Sequence, residues 1–195
     1  MAKAKINRKL NLEIPVYDGD DKVVAYVHST PVGREVFETY FESFSRVFTQ
    51  IYAGGHGITT APRIGYLLLK KDAIEHGVWE GERGVKRGLV EEISRLTNVL
   101  TPGDRGWEIL PLEEAIKAGV IDEDDQSEIW NSLVYFTLAS AMHRRAELGP
   151  LLNAALDLWG ARTTSLNCTE FKDSLPTSTP TVNTGESLKP SSIPS

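Results

Sequence analysis

The sequence predicts an α+β fold, mainly α-helical, with an N-terminal β-hairpin packed on a helical body and a disordered C-terminal tail. Three observations predict it. Leu10, Leu12, Ile14 and Val16 alternate with Asn11, Glu13, Pro15 and Tyr17, the period-two pattern of a strand with one buried face. Phe37, Tyr40, Phe41, Phe44, Phe48, Ile51 and Tyr52 recur at spacings of three and four, the stripe of an amphipathic helix. The stretch from Ile129 to Met142 is apolar on nearly every side, so other elements or a partner chain must surround it.

At 195 residues the chain is long enough for one ordinary domain with a substantial core and a tail. Its formal net charge of −6 argues against a nucleic-acid binder that works by broad phosphate neutralisation. Lys3, Lys5, Arg8 and Lys9 make residues 1–9 a basic arm, read as a flexible, solvated start. The one cysteine, Cys168, excludes an intrachain disulfide framework and fits a reducing compartment. Met1 to Lys9 is too polar for a signal peptide, and no apolar run reaches transmembrane length, so the expectation is a soluble, cytoplasmic protein.

The elements follow in order. Asp18-Gly19-Asp20-Asp21 is a turn and Val/Tyr-rich sequence returns after it, which gives a hairpin over 10–28. Pro15 cannot donate to a ladder, so its side of the strand is expected to be an edge. Thr30 as cap and Pro31 at the first helical position open a helix over about 31–53, ended by Gly54-Gly55-His56-Gly57. That glycine cluster lacks both the Lys-Ser/Thr ending and the preceding strand of a phosphate loop. A helix over 62–76 carries Ile64, Leu67, Leu68 and Ile74 and is closed by Gly77. Residues 78–88 read as a loop. Leu89, Ile93, Leu96 and Leu100 mark a helix over 89–100, ended by Thr101-Pro102-Gly103.

A short helix over 111–118 stops at Gly119. The central core helix spans 123–148, with Asp122 or a neighbouring acid as cap, His143-Arg144-Arg145 in its last turns and Gly149-Pro150 as its stop. A last short helix, 151–159, completes a single α+β domain over 10–160. Eighteen of the 35 residues from Ala161 onward are Ser, Thr or Pro, so 161–195 is expected to be largely disordered, with local packing through Leu166 and Phe171.

No constellation of catalytic groups stands out. His28, His56, His76 and His143 are scattered, none at i, i+4 from a second ligand, so no zinc site is expected. Cys168 sits at the edge of the tail, where a nucleophile would not be held in place. Asp122, Glu123, Asp124 and Asp125 lack the spacing and closing Glu of a calcium loop and suit a helix start. Arg144 and Arg145 read as helix-end charges rather than a phosphate site. No catalytic, cofactor-binding or metal-binding residue is therefore assigned, no cofactor is expected, and a non-enzymatic role is. The apolar core helix and the exposed hairpin edge are candidate oligomer contacts, with burial inside the chain the default for each.

The order of these elements resembles another group of proteins. A hairpin leading into Thr30-Pro31 and an aromatic helix, an all-helical body, Trp159-Gly160, and the block from Thr164 to Pro176 are similar to tail assembly chaperones of long-tailed (siphovirus-type) bacteriophages. The resemblance covers the chain loosely and the Thr164–Pro176 block most closely. It implies a protein that binds the tape measure protein, keeps its long hydrophobic helices soluble and helps recruit tail tube subunits. It also implies location in the host cell cytoplasm, absence from the mature virion, and no catalytic residues. Many such genes carry a translational frameshift near their end, and Ser187-Leu188-Lys189 is compatible with a slippery heptamer. The alternative is a structural virion protein, a minor tail or head-completion component, of similar composition.

Overall fold

The structure is a computed structural model that describes residues 10–176 apart from 56, 105, 144–151, 153 and 157–159. The basic arm over 1–9, Arg144, Arg145 and Ser187-Leu188-Lys189 lie outside the described residues. The fold is α+β and mainly helical, with the N-terminal hairpin packed on the helices.

The hairpin forms as its alternation requires. Strand β1 (Asn11–Tyr17) pairs antiparallel with β2 (Val23–Ser29). Asp18 makes the turn: its Oδ1 accepts from the main-chain N–H of Asp20 at 3.0 Å and of Lys22 at 2.9 Å. The hairpin is the middle of a larger sheet. Strands β3 (Thr97–Gly103), β4 (Gly106–Pro111) and β5 (Arg162–Thr164) complete five antiparallel strands in the order β4-β3-β2-β1-β5. Each edge of the hairpin is thus paired over part of its length. Pro15 still limits pairing: β5 meets β1 only at Asn11, Leu12 and Glu13, short of the residue that lacks an N–H.

One face of the sheet is apolar. Leu12, Ile14, Val16, Ala25, Val27 and Val99 project from it and are all buried in the core. Over this face lie α1 (Arg34–Thr39), α2 (Phe41–Ala53), α3 (Gly57–Glu75) and α6 (Glu123–Met142). The smaller α4 (Glu91–Arg95) and α5 (Leu112–Lys117) flank them, α4 after a π-helical turn over Lys86–Val90.

Helix α6 is enclosed as its sequence demands: Ile129 and every residue from Asn131 to Ala139 are buried. Asp122 caps it by accepting from the N–H of Asp125 at 2.8 Å. The closest crossing is with α3 at Gly65. A Cβ there would stand 2.7 Å from the Asn131 carbonyl oxygen and 3.0 Å from the Tyr135 nitrogen. Because Gly65 leaves that space, Asn131 reaches the α3 backbone. Its Oδ1 accepts from the N–H of Tyr66 at 3.0 Å and of Leu67 at 3.2 Å, while its Nδ2 donates to the Ser127 carbonyl at 2.9 Å. A polar interruption in the apolar run is therefore a hydrogen-bonded joint between two helices.

Several boundaries differ from the sequence reading. The helix expected over 31–53 starts at Arg34, capped by Gly33 without a side-chain bond, and bends at Tyr40. The Tyr40 hydroxyl there donates to the carbonyls of Arg83 at 3.3 Å and Gly84 at 3.4 Å. The helix expected over 62–76 begins earlier, at Gly57, with Pro62 inside its second turn. It closes at Gly77, where a positive φ of 67° lets the next N–H, of Val78, reach back to Ala73.

The helix expected over 89–100 ends at Arg95, and Thr97–Gly103 is β3. Leu96 and Leu100 satisfied a helical spacing by coincidence, and the β-branched Thr97 and Val99 between them face the sheet's core side. Helix α6 stops at Met142, where His143 turns to an extended backbone with its ring 5.6 Å from that of Phe48. Residues 144–148 of the expected helix lie outside the described residues. Of the expected helix over 151–159, Leu152 and residues 154–156 are described as helical, and 151, 153 and 157–159 lie outside the described residues.

Candidate functional site

The second face of the sheet carries the molecule's polar side chains. In register across it stand Arg162 of β5, Glu13 of β1, His28 of β2 and Asn98 of β3. Asn11, Tyr26 and Trp107 share that face by the same alternation. Residues 161–176 form a strap: β5 joins the sheet beside β1, and α7 (Cys168–Ser174) follows it with Phe171 against Tyr26 and His28. Of the segment 161–195, expected to be largely disordered apart from local packing through Leu166 and Phe171, residues 161–176 are described and carry β5 and α7, and 177–195 lie outside the described residues.

Polar side chains with no open water available must find partners, and this strap supplies them. Glu13, only 2% exposed, accepts from Arg162 Nε at 2.9 Å and Nη2 at 2.6 Å. The Leu166 carbonyl takes two bonds, from Asn11 Nδ2 at 2.7 Å and with His28 Nε2 at 3.1 Å. The Phe171 ring lies 5.8 Å from His28, nearly parallel, and 5.5 Å from Tyr26, edge-on. Trp107 Nε1 donates to the Pro176 carbonyl at 3.0 Å.

Burial lowers the His28 pKa below its usual value; the Leu166 carbonyl and the Glu13 charge act the other way and are smaller. The imidazole is therefore neutral at pH 7. The same effect raises the Cys168 thiol, with Lys172 opposing it, so Cys168 stands as a thiol at the start of α7. Glu13 is committed to Arg162 and His28 to a main-chain carbonyl. These groups hold the strap; they do not converge on a reacting atom.

A second buried charge ties α2 to α3. Asp72 is fully buried, and Arg46 Nε lies 3.0 Å from each of its oxygens. Gln50 Nε2 donates to Oδ1 at 3.3 Å, and His76 Nδ1 lies 2.8 Å from the Asp72 carbonyl. Asp72 does stand four residues before His76, contrary to the sequence reading that no histidine has such a neighbour. The carboxylate is taken up by Arg46 and Gln50, as a helix-to-helix ion pair requires. Among the described residues no three His, Cys, Asp or Glu side chains gather as a metal centre would need.

Two of the open grooves among the described residues lie beside the helices. One, about 530 Å³ between α4 and α5, is rimmed by Arg87, Glu91, Arg95, Glu113, Glu114 and Lys117, charges of both signs that select no ligand. The other, about 470 Å³, runs between Val32 and Phe37 at the entry to α1 and Thr137 and Ala141 on α6. No described helix is long and apolar enough to cross a membrane.

Leu166 and Phe171 of the strap were singled out in the sequence, and the start of α7 was within its reach; Arg162 was not. Asn167-Cys168-Thr169-Glu170 is a capping box: Asn167 Oδ1 accepts from the Glu170 N–H at 2.9 Å, and Glu170 Oε2 accepts from the Asn167 N–H at 3.0 Å. That spacing just before Phe171 announces a helix start inside a Ser/Thr/Pro-rich composition. Set against known proteins, the chain matches no family model, no curated protein and no solved structure.

Proposed function

We propose that this protein is a phage tail assembly chaperone that binds the tape measure protein, keeps it soluble and helps recruit tail tube subunits during tail morphogenesis. The observation that carries the reading is the Thr164–Pro176 block, together with a hairpin leading into Thr30-Pro31 and an aromatic helix, which resemble that family; the all-helical body expected between them is interrupted by β3 and β4. Two features support it. The block that resembles the family most closely contains α7 and packs on the sheet through the Leu166 carbonyl and the Phe171 ring, so the likeness falls on a part that is built into the fold. The net charge of −6 keeps a complex with an apolar partner in solution through mutual repulsion. On this reading the protein is a non-enzymatic binder of the host cytoplasm, absent from the mature virion.

Immunoprecipitation from cells that are assembling particles tests it. The tape measure protein is expected in the precipitate, and the chain is expected to be missing from purified particles. A chain retained in particles at a fixed copy number would carry the alternative, a structural virion component. A precipitate without the tape measure protein would end the chaperone reading.

A further inference from the structure

The large apolar side chains on the surface are of two kinds. Phe41 is 49% exposed but meets Phe37 edge-on at 5.7 Å, and Tyr52, 40% exposed, stacks on Phe48 at 4.3 Å. Each has a ring neighbour that accounts for its position. Leu67 and Ile74, at 56% and 54%, are the most exposed large apolar side chains among the described residues. They stand seven residues apart on α3, two turns along one face. Lys70 and Lys71 fill the turn between them.

The other sides of α3 are occupied. Gly65 lies against α6, Asp72 is held by α2, and Leu69 and Ala73 are fully buried. The outward face is thus a shallow groove lined by Leu67, Lys70, Lys71, Ile74 and Glu75.

Aliphatic residues at i and i+7 mark one row of a face that receives a second helix; the intervening positions, apolar in a regular seam, are here Lys70 and Lys71. Lysine stems extend the apolar strip while their ammonium groups stay at its rim, where they select the partner's charge. Lys71 lies 3.8 Å from Glu75, but both side chains are more than half exposed, so the pair leaves the ammonium available. Lys70 Nζ stands 6.0 Å from the Trp79 ring centroid, at the side of the groove that Lys70 lines. On a chain of net charge −6, an acidic helix is repelled by most of the surface and drawn to this cationic, apolar strip.

We propose that the outward face of α3, formed by Leu67, Lys70, Lys71 and Ile74, docks an amphipathic helix of a partner protein whose apolar stripe is flanked by Glu or Asp. This deepens the chaperone reading and rests on it for which protein supplies the helix, while the surface and its charge preference stand on α3 alone.

The test is an NMR titration of the ¹⁵N-labelled full chain with two synthetic three-heptad peptides. Both carry Leu at the core positions; one has Glu at every flanking position and the other Lys, and like charges there keep each peptide from pairing with itself. The Glu peptide is expected to shift amides over 63–78 and to bind about tenfold or more tighter than the Lys peptide. Lys70→Glu with Lys71→Glu should reverse that order, and Leu67→Ser with Ile74→Ser should abolish binding of both peptides while leaving the remaining spectrum unchanged. Equal binding of the two peptides, shifts centred elsewhere, or no binding would overturn the proposal. No tape measure protein enters this titration, so its failure and the failure of the immunoprecipitation are separate results.

Discussion

Gly65 and Asn131 show how single residues set the distance between elements. The missing Cβ of Gly65 lets α6 approach until the Asn131 amide bonds the α3 backbone. Gly65→Ala would raise helix propensity by about 1 kcal/mol in isolation. Here its methyl would meet backbone atoms at 2.7 and 3.0 Å, so the crossing must open. The expected net result is a loss of about 1–3 kcal/mol, read from the urea midpoint. His28 makes a second case at this scale. Glu13, Tyr26, Asn98, the Leu166 carbonyl and Phe171 surround it, and burial holds its folded pKa below the unfolded value. The unfolded chain therefore takes up the proton first. The stability contributed by neutral His28 is full above about pH 6.5 and is lost as pH falls through the lower folded value. Urea unfolding at pH 7.5 and 5.5 should show a larger drop for the wild type than for His28→Gln. Equal drops would mean that His28 takes up its proton equally well in both states.

At the scale of elements, the strap is the part of the fold that composition hid. A chain ending at Gly160 would lose β5 and α7 and expose Glu13 without Arg162 and His28 without Leu166. Loss of the buried Phe171 ring alone costs about 3–5 kcal/mol, so a clear fall in melting temperature is expected, with faster amide exchange in β1 and β2. An unchanged melting temperature would show that the strap is not integral to the sheet. The hairpin and α6 were legible in the sequence because alternation and an all-round apolar run each have one structural solution. Strands β3 and β4 were not. Leu96 and Leu100 fit a helix by spacing, Thr101-Pro102-Gly103 read as a helix stop, and strand pairing with β2 decided the matter at long range. Pro102 is tolerated because the pairing of β3 with β2 ends at Leu100.

For the whole molecule, the same lesson explains why no catalytic site was legible and why two buried charge networks were missed. Arg162 meets Glu13 across 149 residues of sequence and Asp72 meets Arg46 across 26, separations that no local motif marks. Both networks join elements, and the outward face of α3 is left open to solvent. On the proposed reading, this face and the fold behind it keep a long apolar helical protein in solution. The most direct measurement is the distribution of the tape measure protein between pellet and supernatant, expressed alone and together with the full chain. The account predicts transfer to the supernatant and co-elution with the chain that persists when salt is raised by a few hundred millimolar, since the seam is mainly apolar. A tape measure protein that stays in the pellet at every ratio of the two would contradict it.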